Sequence, residues 1–313
     1  MRLKNKKILI TGGTGFIGSN LTKRLKELGA DVTIFDLALG HDIQNQSELS
    51  SFIKKNFDAI YHLAGFSGSE KSNRHRLKSF KVNTIATVNI CEFLVKYSPK
   101  TKLIISSSRL EYGKPIYLPV DENHPTLPMS TYGLSKLAAT QMALIYHKKD
   151  NLDVTVFRTS NVYGYHQNTK FAGYNIINHF IDLARQDRAI KIFGNGNQER
   201  DYLFIDDLLR AFILAISQKA AGKIYNLGQG RPIKFKDMAK LIVQKVGLGK
   251  VVFTKWPKQI EEVETGGYIS DISKIKKELG FYPKVDFEEG IARTLESNAK
   301  RFIYDYMFTT AWY

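Results

Sequence analysis

The chain has 313 residues, enough for one large core or two joined ones, and its 43% hydrophobic and 24% charged residues are typical of a globular protein. It contains no run of about 18 apolar residues and no signal-peptide core, so we expect a cytoplasmic protein without a membrane span. The net charge of +16 suggests nucleic-acid binding. However, the basic residues are scattered and lack interleaved aromatic side chains, which favours a solvated surface or steering of an anionic substrate instead.

Strand-like and helical segments alternate along the chain. Short apolar runs predict strands at 7–11, 31–36, 57–63, 102–107 and 152–158, and helical spacing appears at 20–28, 82–95 and 131–147. This βαβ rhythm predicts an α/β fold with a Rossmann-like, doubly wound parallel sheet covered by helices on both faces. The later part is less regular and predicts a smaller, mixed C-terminal region.

The single cysteine, Cys91, excludes an intrachain disulfide. It lies on a predicted helix face, and no basic partner for catalysis can be identified. We therefore interpret it as a buried structural thiol.

A glycine-rich turn joins the first predicted strand to the first predicted helix. Within Thr11–Gly18, the pattern Gly13-x-Gly15-x-x-Gly18 fits the dinucleotide-binding fingerprint. Glycines at these places allow a tight turn, a close approach of the backbone to a pyrophosphate, and close packing of helix on strand. The phosphates then bind the free N–H groups of the helix N-terminus.

An acidic residue ends the second predicted strand. Asp36 lies 18 residues after Gly18, where a carboxylate accepts hydrogen bonds from the adenosine ribose hydroxyls. It would repel a 2′-phosphate, so we expect the cofactor to be NAD and not NADP.

A tyrosine and a lysine are placed four residues apart at the start of a predicted helix. Tyr132 and Lys136 therefore share one face. An ammonium group near a phenol lowers the pKa of the tyrosine, which can then exchange a proton with a sugar hydroxyl. The preceding strand ends in a loop of hydroxyl residues, 106–108, that could hydrogen-bond the same oxygen.

Together these segments resemble the extended short-chain dehydrogenase/reductase family, in its NAD-dependent nucleotide-sugar epimerase and dehydratase branch. The resemblance covers nearly the whole chain. Its motifs are the glycine turn, His62–Gly65, Val82–Thr84, Ser106–Gly113, the Tyr132/Lys136 pair, Phe157–Gly164 and Phe193–Tyr202.

The resemblance implies a catalytic set and a cofactor site. Tyr132 would be the general acid/base, Lys136 would hold the nicotinamide ribose and lower the pKa of Tyr132, and Ser108 would bond the reacting sugar oxygen. Gly65 departs from the alanine of the family motif. The full set implied for NAD is Gly12, Gly15, Phe16, Ile17, Gly18, Asp36, Asp42, Ile43, Leu63, Ala64, Gly65, Asn83, Ser106, Tyr132 and Lys136.

The resemblance also implies a nucleotide-diphosphate sugar as substrate and no metal. Arg200 and Asn175 would contact the diphosphate, and Asn161 the sugar or its diphosphate; the alternatives are a surface Arg–Asp pair for Arg200 and a buried turn for Asn161. The substrate set is Ser108, Arg109, Tyr132, Asn161, Asn175 and Arg200. We assign NAD binding to residues 1–165 with parts of 200–235, and sugar binding to 166–199 and 236–313.

Two departures from the family pattern bear on the reaction. Arg109 and Leu110 follow Ser108 where the 4,6-dehydratases carry carboxylates, and Glu111 is out of register. Arg109 could reach the substrate or simply be exposed. The segment 261–267 is acidic where relatives often carry an arginine for the diphosphate.

We therefore expect an epimerase, acting at C4 through a 4-keto intermediate. A 4-ketosugar reductase, a dehydratase and, more remotely, a non-catalytic nucleotide-binding protein are the alternatives.

We also expect a homodimer. In this family the helix after Tyr132 and the helix around residues 83–95 commonly pair across a two-fold axis into a four-helix bundle. Leu137, Met142 and Ile145 could form that face, or could pack only on the sheet. The aromatic tail, 301–313, fits a last helix packed on its own domain, then a subunit contact and, as the least favoured alternative, attachment to a membrane surface.

Overall fold

The computed structural model describes residues 3–165, 176–262 and 264–297. Eleven strands and twelve α-helices are assigned within these ranges. In chain order they are β1 Lys7–Thr11, α1 Phe16–Glu27, β2 Asp31–Phe35, α2 Gln46–Ile53, β3 Ala59–His62, α3 Ser69–Arg74, α4 Arg76–Phe80, α5 Ala86–Tyr97, β4 Lys102–Ser108, α6 Thr131–Asp150, β5 Val154–Thr159, β6 Asn161–Tyr163, α7 Ile176–Arg185, β7 Ala189–Phe193, β8 Glu199–Phe204, α8 Ile205–Leu214, β9 Lys223–Leu227, β10 Pro232–Lys234, α9 Phe235–Val246, β11 Lys250–Thr254, α10 Lys258–Glu261, α11 Ser273–Leu279 and α12 287–297.

The main sheet has six parallel strands in the order β2-β1-β3-β4-β5-β9. The predicted α/β, Rossmann-like fold is thus confirmed. The strand order reverses direction at β1, so a crevice opens beyond the carboxyl ends of β1 and β3. The glycine-rich turn follows β1 at this crevice.

Apolar side chains alternate across the main sheet because successive residues of a strand point to opposite faces. In β1, Ile8 and Ile10 enter one buried cluster, which α1 and α8 cover, and Leu9 enters the other, beneath α2, α5 and α6. Cys91 lies in the second cluster as a buried free thiol, as predicted.

Two smaller sheets complete the described fold. Strand β8 pairs with β6 and, antiparallel, with β10, and β7 pairs with β11 in a separate two-stranded sheet. Across residues 3–165, 176–262 and 264–297, no helix combines the length and apolar character needed to cross a bilayer.

One helix departs from the predicted geometry. The segment predicted as a single helix from 82 to 95 begins with a π-helical turn, Lys81–Ile85, before α5. The turn carries Asn83, whose buried side chain contacts the loop after β3 and helix α6. Such π-turns occur frequently at functional sites, and hydrophobic spacing alone did not predict this one.

Candidate active site

A cavity of about 1030 Å³ lies beyond the carboxyl ends of β1, β3 and β4. Its wall joins the glycine-rich turn to the first residues of α6 and to the strand pair β6–β8. Four of the residues predicted to contact the substrate line this wall: Ser108, Tyr132, Arg109 and Asn161. Lys136, Arg200 and Asn83 lie behind the lining residues.

The glycine-rich turn is packed too closely for side chains. A Cβ on Gly18 would lie 2.1 Å from the Gly12 carbonyl oxygen, and one on Gly12 would lie 2.6 Å from the Ala64 amide nitrogen. Gly15 precedes α1, and the first turn of α1 contains no acidic residue that would compete with a phosphate. Because first-turn N–H groups have no intrahelical acceptor, Phe16, Ile17 and Gly18 present an anion site to the cavity.

Asp36 follows β2 and lines the cavity beside the glycine-rich turn. Its Oδ2 accepts a hydrogen bond from the Thr14 N–H at 3.0 Å, and its Oδ1 accepts one from the Ala38 N–H at 2.9 Å. A carboxylate has about four acceptor positions, so these two bonds fix its orientation and leave acceptors for ribose hydroxyls. The geometry fits an unphosphorylated adenosine ribose.

The cavity beside Asp36 is formed by the loop before α2. Asp42 and Ile43 line it, and a 3₁₀ turn, Leu37–Leu39, lies between β2 and Asp42. Their role in cofactor binding stays a prediction. His41, which no sequence pattern singled out, lines the same pocket, and its ring stacks on Phe35 with centroids 5.2 Å apart. An isolated histidine in a loop carries no spacing signal that could have revealed it.

The strand end at Leu63–Gly65 lines the cavity on the side of β3. A Cβ on Gly65 would lie 3.2 Å from the Asn83 Oδ1 atom, so the space left for the alanine of the family motif is tight. The Asn83 carboxamide makes four hydrogen bonds, with Phe66 N, Phe66 O, Ser79 Oγ and Ser135 Oγ. It therefore braces the cofactor wall against α6 from behind.

The predicted catalytic residues converge where α6 meets the end of β4. Lys136 is buried, and its Nζ donates to the Ser106 carbonyl oxygen at 2.7 Å. Burial lowers the pKa of Lys136 to about 8, against the opposing effect of the Glu111 carboxylate. The Ser108 hydroxyl accepts from the Leu110 N–H at 3.2 Å.

The Tyr132 hydroxyl interacts with the side chains of Ser108 and Ser67. Burial raises the pKa of Tyr132 to about 12, and the Glu111 charge adds to the increase, whereas the two serine hydrogen bonds oppose it. The two serine hydrogen bonds thus favour the phenolate, and the effect of Lys136 on the pKa of Tyr132 stays a prediction. Ser67, which also lines the cavity, was missed because it belongs to none of the motifs.

Glu111 points away from the cavity. Its Oε2 accepts from Arg158 Nε at 2.7 Å, and its Oε1 accepts from Thr140 Oγ1 at 2.6 Å and from Ser107 Oγ. Among the residues that line the described cavity, the carboxylates are Asp36 and Asp42, both at the adenosine end. The described surface beside Ser108 thus offers no carboxylate.

Two of the residues predicted to contact the substrate are buried arginines. Arg200 donates to the Glu264 carboxylate and to the carbonyl oxygens of Gly266 and Glu199. Arg109 is 9% exposed, so the alternative of an exposed side chain is wrong. Its Nη1 donates to Thr265 Oγ1 at 3.2 Å, and its guanidinium lies 5.1 Å from the centre of the Tyr268 ring. Arg200, only 7% exposed, is not a surface residue either.

Of the two remaining residues predicted to contact the substrate, the structure describes one. Asn161 lines the cavity and donates through Nδ2 to the Asp201 carbonyl oxygen at 3.1 Å. Asn175 and the aromatic tail lie outside the described residues. Lys71 and Lys78 also line the cavity, and both lie over the Phe66 ring.

A family model described as the NAD dependent epimerase/dehydratase family matches residues 8–228. A Methanocaldococcus jannaschii protein with a UDP-glucose 4-epimerase name is 32% identical over 92% of this chain and 97% of its own. A UDP-N-acetyl-alpha-D-glucosaminuronate decarboxylase from Bacillus cytotoxicus is 30% identical over 93% of this chain and 97% of its own. The Thermotoga maritima UDP-glucose 4-epimerase, solved with UDP-glucose, superposes with a TM-score of 0.87 at 29% identity, covering 95% and 99% of the two chains.

Proposed function

Because the chain belongs to the NAD-dependent epimerase/dehydratase family of nucleotide-sugar enzymes, we propose that it is a nucleotide-sugar epimerase that acts at C4 of the sugar. The observation that carries this proposal is the composition of the cavity wall around Ser108. It combines a serine and a tyrosine that could handle a sugar hydroxyl with no lining carboxylate, among the described residues, that could remove water.

In the proposed reaction the protein moves one proton while the sugar carbon is oxidised and reduced again. NAD⁺, when bound, would supply the hydride chemistry, and the two hydride transfers would occur at opposite faces of the sugar carbon. Tyr132 takes the C4 hydroxyl proton through its Oη and gives it back after a 4-keto sugar has formed. Ser108 orients the same oxygen. Hydrogen bonds with Ser108 and Ser67 stabilise the phenolate against the burial that raises the pKa of Tyr132.

The residues present fit NAD. The glycine cradle that a Cβ would fill, the open first turn of α1 and the oriented Asp36 carboxylate accommodate a pyrophosphate and a ribose. Lys136 would hold the nicotinamide ribose. Asn83 would act through the wall that it braces. For Arg200 to bind the substrate diphosphate, Glu264 would have to release it.

A dehydratase or a decarboxylase would share this fold, and the relatives include a decarboxylase by name. A dehydratase is disfavoured because Leu110 occupies the place of a reacting carboxylate and Glu111 is held by Arg158. A 4-ketosugar reductase would also use Ser108, Tyr132 and Lys136, but it would consume NADH stoichiometrically. A protein that only binds nucleotides would not require the hydrogen bond between the Ser108 and Tyr132 side chains.

The test is to incubate the purified protein with NAD⁺ and UDP-, dTDP- and GDP-linked hexoses and hexuronic acids and to analyse the products by mass spectrometry and chromatography. We expect an isomer of unchanged mass and no net NADH. A product lighter by one water would identify a dehydratase. In a parallel incubation with NADH and a 4-keto sugar, stoichiometric NADH consumption would identify a reductase. No conversion of any sugar would contradict the proposal.

We also propose a homodimer through α5 and α6, which pack against each other. On α6, Leu134 is 47% and Ile145 is 51% exposed, and Leu137 and Met142 are half-buried. This exposed apolar face suits a partner's helices in a four-helix bundle. Light scattering should give twice the 35.6 kDa chain mass, and the double variant Leu134→Glu/Ile145→Glu should reduce it to the monomer. A wild-type monomer would contradict this.

The division of labour along the chain is also a proposal. The main sheet takes strands from residues 7–159 and from Lys223–Leu227. This supports NAD binding by residues 1–165 with parts of 200–235, and sugar binding by 166–199 and 236–313.

A further inference from the structure

Arg109 carries a charge that the protein does not compensate directly. Burial and the neighbouring Arg200 lower its pKa to about 10, so it stays protonated at neutral pH. In the part of the chain that the structure describes, its hydrogen bond goes to the neutral Thr265 hydroxyl and its guanidinium faces the Tyr268 ring. A buried charge without a paired carboxylate is costly. The positive charge of the Arg109 guanidinium is thus available to pair with a bound anion.

The neighbouring arginine is already satisfied. Arg200 forms an ion pair with Glu264 and donates to two backbone carbonyl oxygens. It lies behind the cavity wall, whereas Arg109 is part of that wall. Two guanidinium groups therefore share one carboxylate, and the uncompensated charge belongs to the arginine that a ligand can touch.

A second unsatisfied group lines the same cavity. The Tyr202 side chain is 2% exposed, and its hydroxyl has no hydrogen-bond partner among the described residues. The charges of Arg200 and Arg109 both act on this hydroxyl, which places it near the two guanidinium groups. Buried hydroxyls are normally satisfied. An anion at Arg109 would provide the missing acceptor.

We propose that Arg109 and Tyr202 form a subsite for a carboxylate on the sugar, so that the preferred substrate is a nucleotide-linked uronic acid. This inference rests on the proposed function, because it takes C4 as the reacting carbon. Arg109 directly follows Ser108, with α-carbons about 3.8 Å apart, so its backbone lies at the reacting end of the sugar. The carboxylate carbon of a hexuronic acid, C6, is attached to C5, next to C4. The diphosphate is attached to C1, across the ring.

The recognition chemistry fits a carboxylate. A guanidinium presents parallel N–H donors that match two carboxylate oxygens, and a phenol hydroxyl can donate to one of them. A neutral hydroxymethyl group at C6 would leave the arginine charge uncompensated. Discrimination between the two groups is therefore expected to be strong, because a site built to pair a buried charge rejects a ligand that lacks the partner.

The experiment measures binding by calorimetry of the NAD-loaded protein with UDP-glucuronic acid, UDP-glucose and UDP. We expect the wild-type protein to bind UDP-glucuronic acid on the order of 30-fold more tightly than UDP-glucose. Arg109→Gln should abolish this preference and leave the affinity for UDP unchanged. Tyr202→Phe, which keeps the buried ring, should reduce the preference in part. Arg185→Gln, which removes a half-buried arginine bonded to the Leu295 carbonyl oxygen, serves as the matched control and should retain it.

Two results would overturn the subsite. One is a wild-type protein that binds the two sugars equally. The other is an Arg109→Gln variant that loses affinity for all three ligands by the same factor, which would assign Arg109 to the diphosphate. The two proposals fail separately. A carboxylate preference without turnover of any sugar would contradict the epimerase alone, and epimerisation of UDP-glucose without any preference would contradict the subsite alone.

Discussion

Glu111 and Arg158 form an ion pair beneath the loop that follows β4, with 2.7 Å between Glu111 Oε2 and Arg158 Nε and side chains that are 0% and 3% exposed. The pair links three elements. Glu111 also accepts from Ser107 at the end of β4 and from Thr140 on α6. Arg158 donates in addition to the Tyr112 hydroxyl at 2.9 Å. The neighbours of Ser108 and the helix of Tyr132 are thus connected through one buried carboxylate.

Glu111→Gln should therefore destabilise the protein by about 3–5 kcal/mol, because the Arg158 charge would remain buried without its partner. The double variant Glu111→Leu/Arg158→Met should lose less than the single one. Urea unfolding followed by circular dichroism measures both. The exposed pair of Glu70 with Arg74 provides the control, since Glu70→Gln should cost less than about 1 kcal/mol. A single variant as stable as this control would refute the role of the pair.

Tyr132→Phe should lower kcat by about 10²–10⁴-fold, because it removes the proposed acid/base and leaves the half-buried ring in place. The affinity for NAD and the unfolding temperature should change little. Tyr146→Phe tests the same substitution on the same helix, at a hydroxyl that bonds Glu92, and should keep full activity. Steady-state kinetics with a sugar that the wild-type protein converts measures kcat in both variants. An equal loss of kcat in the two would contradict the assignment of Tyr132 as the acid/base.

Gly18→Ala should abolish NAD binding and destabilise the fold, since its Cβ would lie 2.1 Å from the Gly12 carbonyl oxygen. This clash can be relieved only if the glycine-rich turn moves away from α1. Gly267→Ala is the matched control, because the nearest atom to its Cβ is a Leu118 methyl carbon at 3.7 Å. Fluorescence titration with NADH and thermal unfolding report the two effects. Normal NADH binding by Gly18→Ala would show that the turn is not the cofactor cradle.

Acid should destabilise the protein partly through His62. This residue is buried between the Thr11 and Thr87 hydroxyls, and burial with the nearby Lys136 charge lowers its pKa to about 3. The folded protein then binds fewer protons than the unfolded chain between pH 3 and 6.5, so stability falls as the pH drops through this window. Between pH 7 and pH 5 the loss attributable to His62 is ~2 kcal/mol.

Denaturant unfolding of the wild-type protein and of His62→Gln at the two pH values tests this dependence. The wild-type protein should lose ~2 kcal/mol more than the variant on acidification. Equal losses would mean that His62 titrates alike in the folded and unfolded states.

The sequence by itself determined the features that depend on local pattern. Hydrophobic periodicity placed the strands and helices, and the glycine spacing with Asp36 indicated the nucleotide site, because backbone clearance and carboxylate placement follow from residue type and register. The four-residue spacing of Tyr132 and Lys136 predicted their common helix face for the same reason.

Only the tertiary structure decided what depends on contacts between distant segments. The direction of Glu111 was settled by Arg158, 47 positions later. The burial of Arg109 depends on Thr265 and Tyr268, and the serine partner Ser67 of Tyr132 comes from a loop without a motif. Charge compensation and burial are sums over neighbours in space, and one sequence does not list those neighbours. For this reason the family and its cofactor could be predicted from the chain alone, whereas the proposed carboxylate subsite could not.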